Sequence, residues 1–263
     1  MPFITSQQSA GSRLAGDAAS PRGSSRAEAG RAHFPREQIL AFSEKVEKTL
    51  TAHGAQVAIL ARMGRPTAAL PPGMRFTHVA FAVYSERTTE DGSTLSSYAI
   101  HNLYQLKNAP DKSELVQDLA ADFFAEVHEL EAGIIVPPLE LQQRLLKLIT
   151  SSDYASLHES RYSVIANPYS QGRQNCTEFV LDVVNAAIYQ TLDPKVLKAT
   201  LKARFVPHKV DVSLFKLKLV SLFVKEVSLE DHEGTPVTTT FESIGRYLQQ
   251  YDQRSVVLTV KPD

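Results

Sequence analysis

The sequence predicts an α+β domain in which an antiparallel sheet packs against helices. Two apolar runs joined by a polar turn read as a hairpin, amphipathic helical stripes cluster elsewhere along the chain, and no internal repeat is evident. A chain of 263 residues, 43% hydrophobic and 22% charged, is long enough to bury a sizeable core. Residues 1–32, rich in Ser, Ala, Gly and Arg without an apolar face, are expected to be disordered, and residues 33–263 to form one domain.

Order is expected to begin near Pro35, where Ile39, Phe42, Val46 and Leu50 recur at helical spacing until Gly54 offers a stop. Gln56–Ala61 reads as a buried strand, and a Pro- and Gly-bearing loop follows as far as Gly73. Arg75–Tyr84 and Ser97–Leu106 read as two strands of a hairpin whose turn contains Asp91-Gly92. From Ser113, the residues Val116, Leu119, Phe123, Val127 and Leu130 share a stripe that predicts a helix, and Leu139–Ile149 predicts another after Pro137-Pro138. Tyr162–Ala166 is a short apolar run before the turn-rich segment NPYSQGRQ. Helices are then expected from Cys176 and over Pro194–Arg204, Ser213–Phe223 and Phe241–Tyr251, with a last strand at Val256–Val260.

With 28 basic and 29 acidic residues, and no basic run interleaved with aromatics, nothing marks a nucleic-acid surface. The longest apolar stretches, such as Val180–Ile188, are short and amphipathic, so no integral membrane segment is expected. The first residues lack the apolar core of a secretory signal. A lone cysteine rules out an intrachain disulfide and any zinc site that needs two cysteines. Asp231-His232-Glu233 reads as a solvated turn, and the His128 and His158 regions lack HExxH spacing, so no metal or cofactor is assigned. Asp122-Phe123-Phe124 has no glycine-rich loop to accompany it. Tyr104, Tyr162 and Tyr169 flank the candidate site segments and read as core or as groove lining.

That cysteine is the sharpest functional signal. Asn175 is a good N-cap with Glu178 three residues on, which makes Cys176 the first helical residue. Unpaired amides and the helix dipole there favour a thiolate and lead us to expect a lowered thiol pKa. The same first turn is a candidate oxyanion site, with the Cys176 N–H as one donor and the Gln174 or Asn175 side-chain amide as another. His78 interrupts the apolar strand FTHVAFAVY beside the small residues Ala80 and Ala82, as a base awaiting a partner would. His101, in YAIHNLYQL, is the expected third member that orients His78, with Asn102 as the alternative, because strand alternation lets only one of the two point toward His78. A Cys–His pair at the mouth of a cleft would favour catalysis, whereas a sealed cysteine would favour a non-catalytic binding or structural module.

Those three segments, the last of them SVIANPYSQGRQNCTEFVLDVVNAAIYQT, together with LPPGMRFTHVAF, SELVQDLAADFF and AGIIVPPLELQQRLL, resemble the uncharacterised bacterial family DUF2145 from about residue 33 onward. More distantly, a histidine-bearing strand ahead of an Asn-Cys helix is similar to the circularly permuted NlpC/P60 papain-like group, which includes lecithin:retinol acyltransferase. That resemblance implies a permuted papain-like fold with Cys176 as nucleophile, His78 as base and His101 at the third polar position. It implies a cysteine hydrolase or acyltransferase acting on an amide, ester or thioester of a small-molecule, peptide or lipid substrate. The acyltransferases often carry histidine three positions after the cysteine, where this chain has Phe179. The DUF2145 resemblance implies a periplasmic location, although the chain shows no signal peptide.

Overall fold

The computed structural model describes residues 33–88, 92, 94–211 and 228–263. The expected disorder of residues 1–32 and the expected helix at 213–223 fall outside them, as does most of the Asp91-Gly92 turn. Helix α1 (Arg36–Ala52) leads into strand β1 (Val57–Met63). Then come β2 (His78–Thr88), β3 (Thr94–Leu106), β4 (Ala109–Leu119), the single turn α2 (Ala120–Phe123) and β5 (Glu129–Val136). Helices α3 (Leu139–Ile149), α4 (Asp153–Ser156), α5 (Cys176–Tyr189) and α6 (Pro194–Arg204) follow. The two-residue strands β6 (His208–Lys209) and β7 (Val237–Thr238), helix α7 (Phe241–Tyr251) and strand β8 (Val256–Val260) complete the described chain.

Six strands form one sheet in the order β4-β3-β2-β1-β5-β8, and every neighbouring pair is antiparallel. The α+β expectation therefore holds. Strand alternation divides the core into two layers. On one face Ala58, Leu60, Ala80, Ala82, Ala132 and Ile134 meet Ile39, Phe42, Val46 and Leu50 of α1 together with Phe123 and Phe124. The alanines on β1, β2 and β5 let α1 lie close to the sheet. On the other face Val57, Ile59, Val79, Phe81 and Leu103 meet α3, α5 and α7. All seven β1 residues are buried because helices cover both faces of the strand.

Two regions differ from the sequence reading. Residues 109–119 are a strand rather than part of a helix, because β3 offers a free edge from Ala99 to Leu106 that β4 pairs along its length. The helical stripe survives only as α2. The apolar run Glu129–Val136, partly assigned to that helix, is a strand seated between β1 and β8. Gly133 within it is required by close approach: a Cβ there would lie 2.7–2.8 Å from the rings of Phe241 and Phe76.

Candidate active site

Helix α5 begins as its sequence prescribes. Asn175 has extended backbone geometry and its Oδ1 accepts the Glu178 N–H at 2.9 Å. The reciprocal arm of a capping box is missing, because the Glu178 carboxylate instead meets Lys198 at 2.7 Å. Asn175 also donates through Nδ2 to the Val164 carbonyl at 2.9 Å and accepts from Thr177 Oγ1. Its amide is therefore committed to holding the cysteine loop. Gln174 is committed in the same way: Oε1 accepts the Glu159 N–H, while Nε2 donates to the Leu157 carbonyl and to Asp182. Both side-chain amides expected at the oxyanion position are thus engaged elsewhere, which leaves backbone N–H groups for that task.

The N-cap turns Cys176 toward the sheet, on the face shared with Val79 and Phe81. The backbone N–H groups of Val79, Thr177 and Cys176 itself hydrogen-bond with the sulfur, and together with the Arg62 charge they favour the thiolate. Burial outweighs them, and the thiol is pushed above its ordinary value. The expected lowering at the helix start is therefore not what the geometry produces, because Cys176 is only 5% exposed.

Val79 reaches the sulfur because the sheet opens beside it. The β1–β2 ladder runs from Val57↔Val83 to Arg62↔His78, whereas the β2–β3 ladder ends at Phe81↔His101. His78, Val79 and Ala80 thus have no ladder partner on β3. The Tyr84 N–H bonds to Gln56 beside β1, so by alternation the odd-numbered amides of β2, Val79 among them, face β3. With the ladder ended, the Val79 N–H turns to the Cys176 thiol instead.

His78 spans the same opening from the other face. Its Nε2 lies 3.1 Å from Asn102 Oδ1, and its ring stacks on that of Tyr104 at 4.9 Å and an interplanar angle of 10°. Phe123 packs against it at 5.7 Å. The Asn102 Nδ2 donates to the Ile100 carbonyl and to Asp118, so Oδ1 is the acceptor and His78 Nε2 carries the proton. His78 Nδ1 is then a bare lone pair, buried and without a hydrogen-bond partner. Burial, and next the nearby Arg62 charge, hold the imidazole well below the usual histidine range despite the opposing Asn102 bond, so the ring is neutral. No hydrogen bond joins His78 to Cys176. The two side chains leave opposite faces of the sheet, His78 on the side of Ala80, Ala82 and Phe123, and Cys176 on that of Val79 and Phe81.

His101 occupies the neighbouring position on the other face of β3, where its ring meets that of Tyr154 edge-on at 6.0 Å. Asn102, the alternative, is the residue placed against His78. Alternation decides this, since Asn102 and Tyr104 share the His78 face whereas His101 and Leu103 share that of Phe81.

Sequence reasoning missed two buried polar assemblies. Arg62, opposite His78 on β1, donates to the Phe123 carbonyl and lies 5.0 Å from the Phe123 ring and 5.8 Å from that of Tyr104. The sequence places it in the loop after the first strand, whereas β1 extends to Met63. Asp231 and His232 do not form a solvated turn: the Asn167 N–H bonds Asp231 at 2.8 Å, and His232 Nε2 bonds the Ile165 carbonyl at 2.8 Å. They tie a distant loop to the segment leading into Cys176. Among the described residues no group of three or more metal-binding side chains occurs, and no helix is long and apolar enough to cross a membrane.

Residues 49–248 match the family described as "uncharacterized protein conserved in bacteria (DUF2145)". No curated protein and no solved structure matches the chain.

Proposed function

Because the chain belongs to the DUF2145 family and holds a cysteine at a capped helix start and a neutral, buried histidine where the β2–β3 pairing has ended, we propose that it is a cysteine-dependent hydrolase or acyltransferase of permuted papain-like, NlpC/P60-type fold. The carrying observation is the state of His78: Nε2 is bound to Asn102 while the buried Nδ1 keeps a free lone pair. That is the state a general base needs.

In this reading the resting pair is neutral, a thiol and an imidazole. As the sulfur attacks the carbonyl carbon of an amide, ester or thioester, the thiol proton passes to His78 Nδ1, which requires the two side chains to come within reach at the open end of the β2–β3 pairing. His78 then returns the proton to the departing amine, alcohol or thiol, leaving a thioester on Cys176. Water or another acceptor, deprotonated by the same nitrogen, releases the acyl group. The carbonyl oxygen, negative in the tetrahedral state, takes hydrogen bonds from backbone N–H groups at the start of α5, that of Cys176 foremost.

The test is acyl-enzyme trapping. Incubation with short-chain thioesters and aryl esters should add one acyl mass to the intact protein, located on Cys176 by peptide mapping and absent in Cys176→Ala. Labelling that persists in Cys176→Ala, or no labelling across the panel, would count against the reading.

The burial of Cys176 favours a second reading, a non-catalytic papain-like module in which the thiol is a packed core group. In that case the polar groups around His78 serve only to specify the sheet opening.

A further inference from the structure

One carboxylate stands behind both groups that hold His78. Asp118, on β4, accepts the Tyr104 hydroxyl proton at 2.8 Å and the Asn102 Nδ2 at 3.0 Å, and both bonds end on its Oδ2. Tyr104 supplies the ring stacked on His78, and Asn102 supplies the oxygen that accepts the His78 Nε2 proton. The connection crosses three strands: Asp118 faces Ile100 in the β3–β4 ladder, while Tyr104 and Asn102 reach over the opening to β2.

The chemistry of the chain runs in one direction. A carboxylate only accepts, so the Asn102 amide must turn its NH2 toward Asp118 and its carbonyl oxygen toward His78. That orientation compels the Nε2–H tautomer and leaves Nδ1 as the base. Were the amide free to rotate, its NH2 could face Nε2, and the proton would move to Nδ1, the nitrogen required to be bare. The hydrogen bond to the Tyr104 hydroxyl, given to the same oxygen, fixes the stacking ring at the same time.

We infer that Asp118 is a positioning residue for His78, acting through Asn102 and Tyr104 to set the tautomer and ring plane of the base. Its catalytic consequence rests on the reading of Cys176 and His78 as a nucleophile–base pair, whereas its effect on the tautomer does not. Asp118 touches neither the thiol nor the substrate carbonyl.

The experiment uses the full chain as wild type, Asp118→Ala and Asp118→Asn, with two readouts. The first is the ring tautomer of His78 from imidazole 15N shifts, assigned by its loss in His78→Gln. The second is the rate of Cys176 alkylation by iodoacetamide at pH 7. The expected result is a single Nε2–H tautomer in wild type and a mixed or reversed one in Asp118→Ala, with alkylation slowed by up to roughly 100-fold, the scale of a misplaced reacting group. Asp118→Asn keeps an acceptor oxygen and should retain most of both signals.

An alanine variant that folds and keeps the wild-type tautomer overturns the inference, as does an asparagine variant that behaves like alanine. Should Asp118→Ala fail to fold, Asp118→Leu replaces it: the bulk is kept and the acceptor removed, and a tautomer unchanged by that loss overturns the inference equally. If wild-type alkylation proves independent of His78, the hydrolase reading falls while the tautomer measurement still decides the role of Asp118.

Discussion

His78 Nε2 and Asn102 Oδ1 meet at 3.1 Å across the point where the β2–β3 ladder has already ended. The side chains bridge a stretch in which the backbones do not pair. This converts an interruption of the sheet into a held imidazole whose other nitrogen is free.

The first expectation separates Asn102 from its neighbour. Asn102→Ala should lower the His78-dependent reactivity of Cys176 by a large part of the 100- to 10,000-fold or so that a positioned base supplies. His101→Ala, altering a ring packed on Tyr154, should leave it within a few-fold. Alkylation rates at pH 7 check this, and the reverse ranking would reinstate His101.

Acid sensitivity follows from the buried imidazole. His78 is held well below its ordinary value, so below about pH 6.5 the unfolded chain binds a proton that the folded chain refuses. The unfolding free energy therefore falls as pH drops from about 6.5 toward the folded value, by at most about 1.4 kcal/mol per pH unit from this group. Urea melts at pH 7.5, 6.5 and 5.5 should show a shallower decline in His78→Gln than in wild type.

Lys198 secures α6 to α5 through Glu178 at 2.7 Å and Asp182 at 2.9 Å, and all three side chains are largely buried. Burial pushes the Glu178 carboxyl up to about 8 even with Lys198 opposing it. Lys198→Met would leave two carboxyls facing each other without a cation, and should cost about 3–5 kcal/mol by denaturant melt.

Gly133→Ala should cost about 1–3 kcal/mol, because the new Cβ would sit under 3 Å from two aromatic rings. Thermal melts would check this. A neutral effect would mean that the Phe76–Phe241 edge-to-face pair shifts freely.

Much of this was legible in the sequence because it is local. The α1 stripe, the Asn175 cap and the β2 alternation each follow from a few adjacent residues. What was not legible depended on partners. Val116 and Leu119 match a helical stripe, yet β4 forms because β3 supplies an edge to pair with. The choice of Asn102 over His101 needed the β2–β3 register, which neither strand encodes alone. The raised Cys176 thiol followed from how deeply α5 packs on the sheet, a quantity that the helix-start pattern does not contain.

The most direct test of the account is the pH–rate profile of Cys176 alkylation by iodoacetamide in wild type and His78→Ala. With His78 as base to a protonated thiol, the wild-type rate should be nearly flat through neutral pH, while His78→Ala should climb about tenfold per pH unit as hydroxide alone removes the proton. Superimposable profiles, or a thiol inert in both proteins until they unfold, would contradict it.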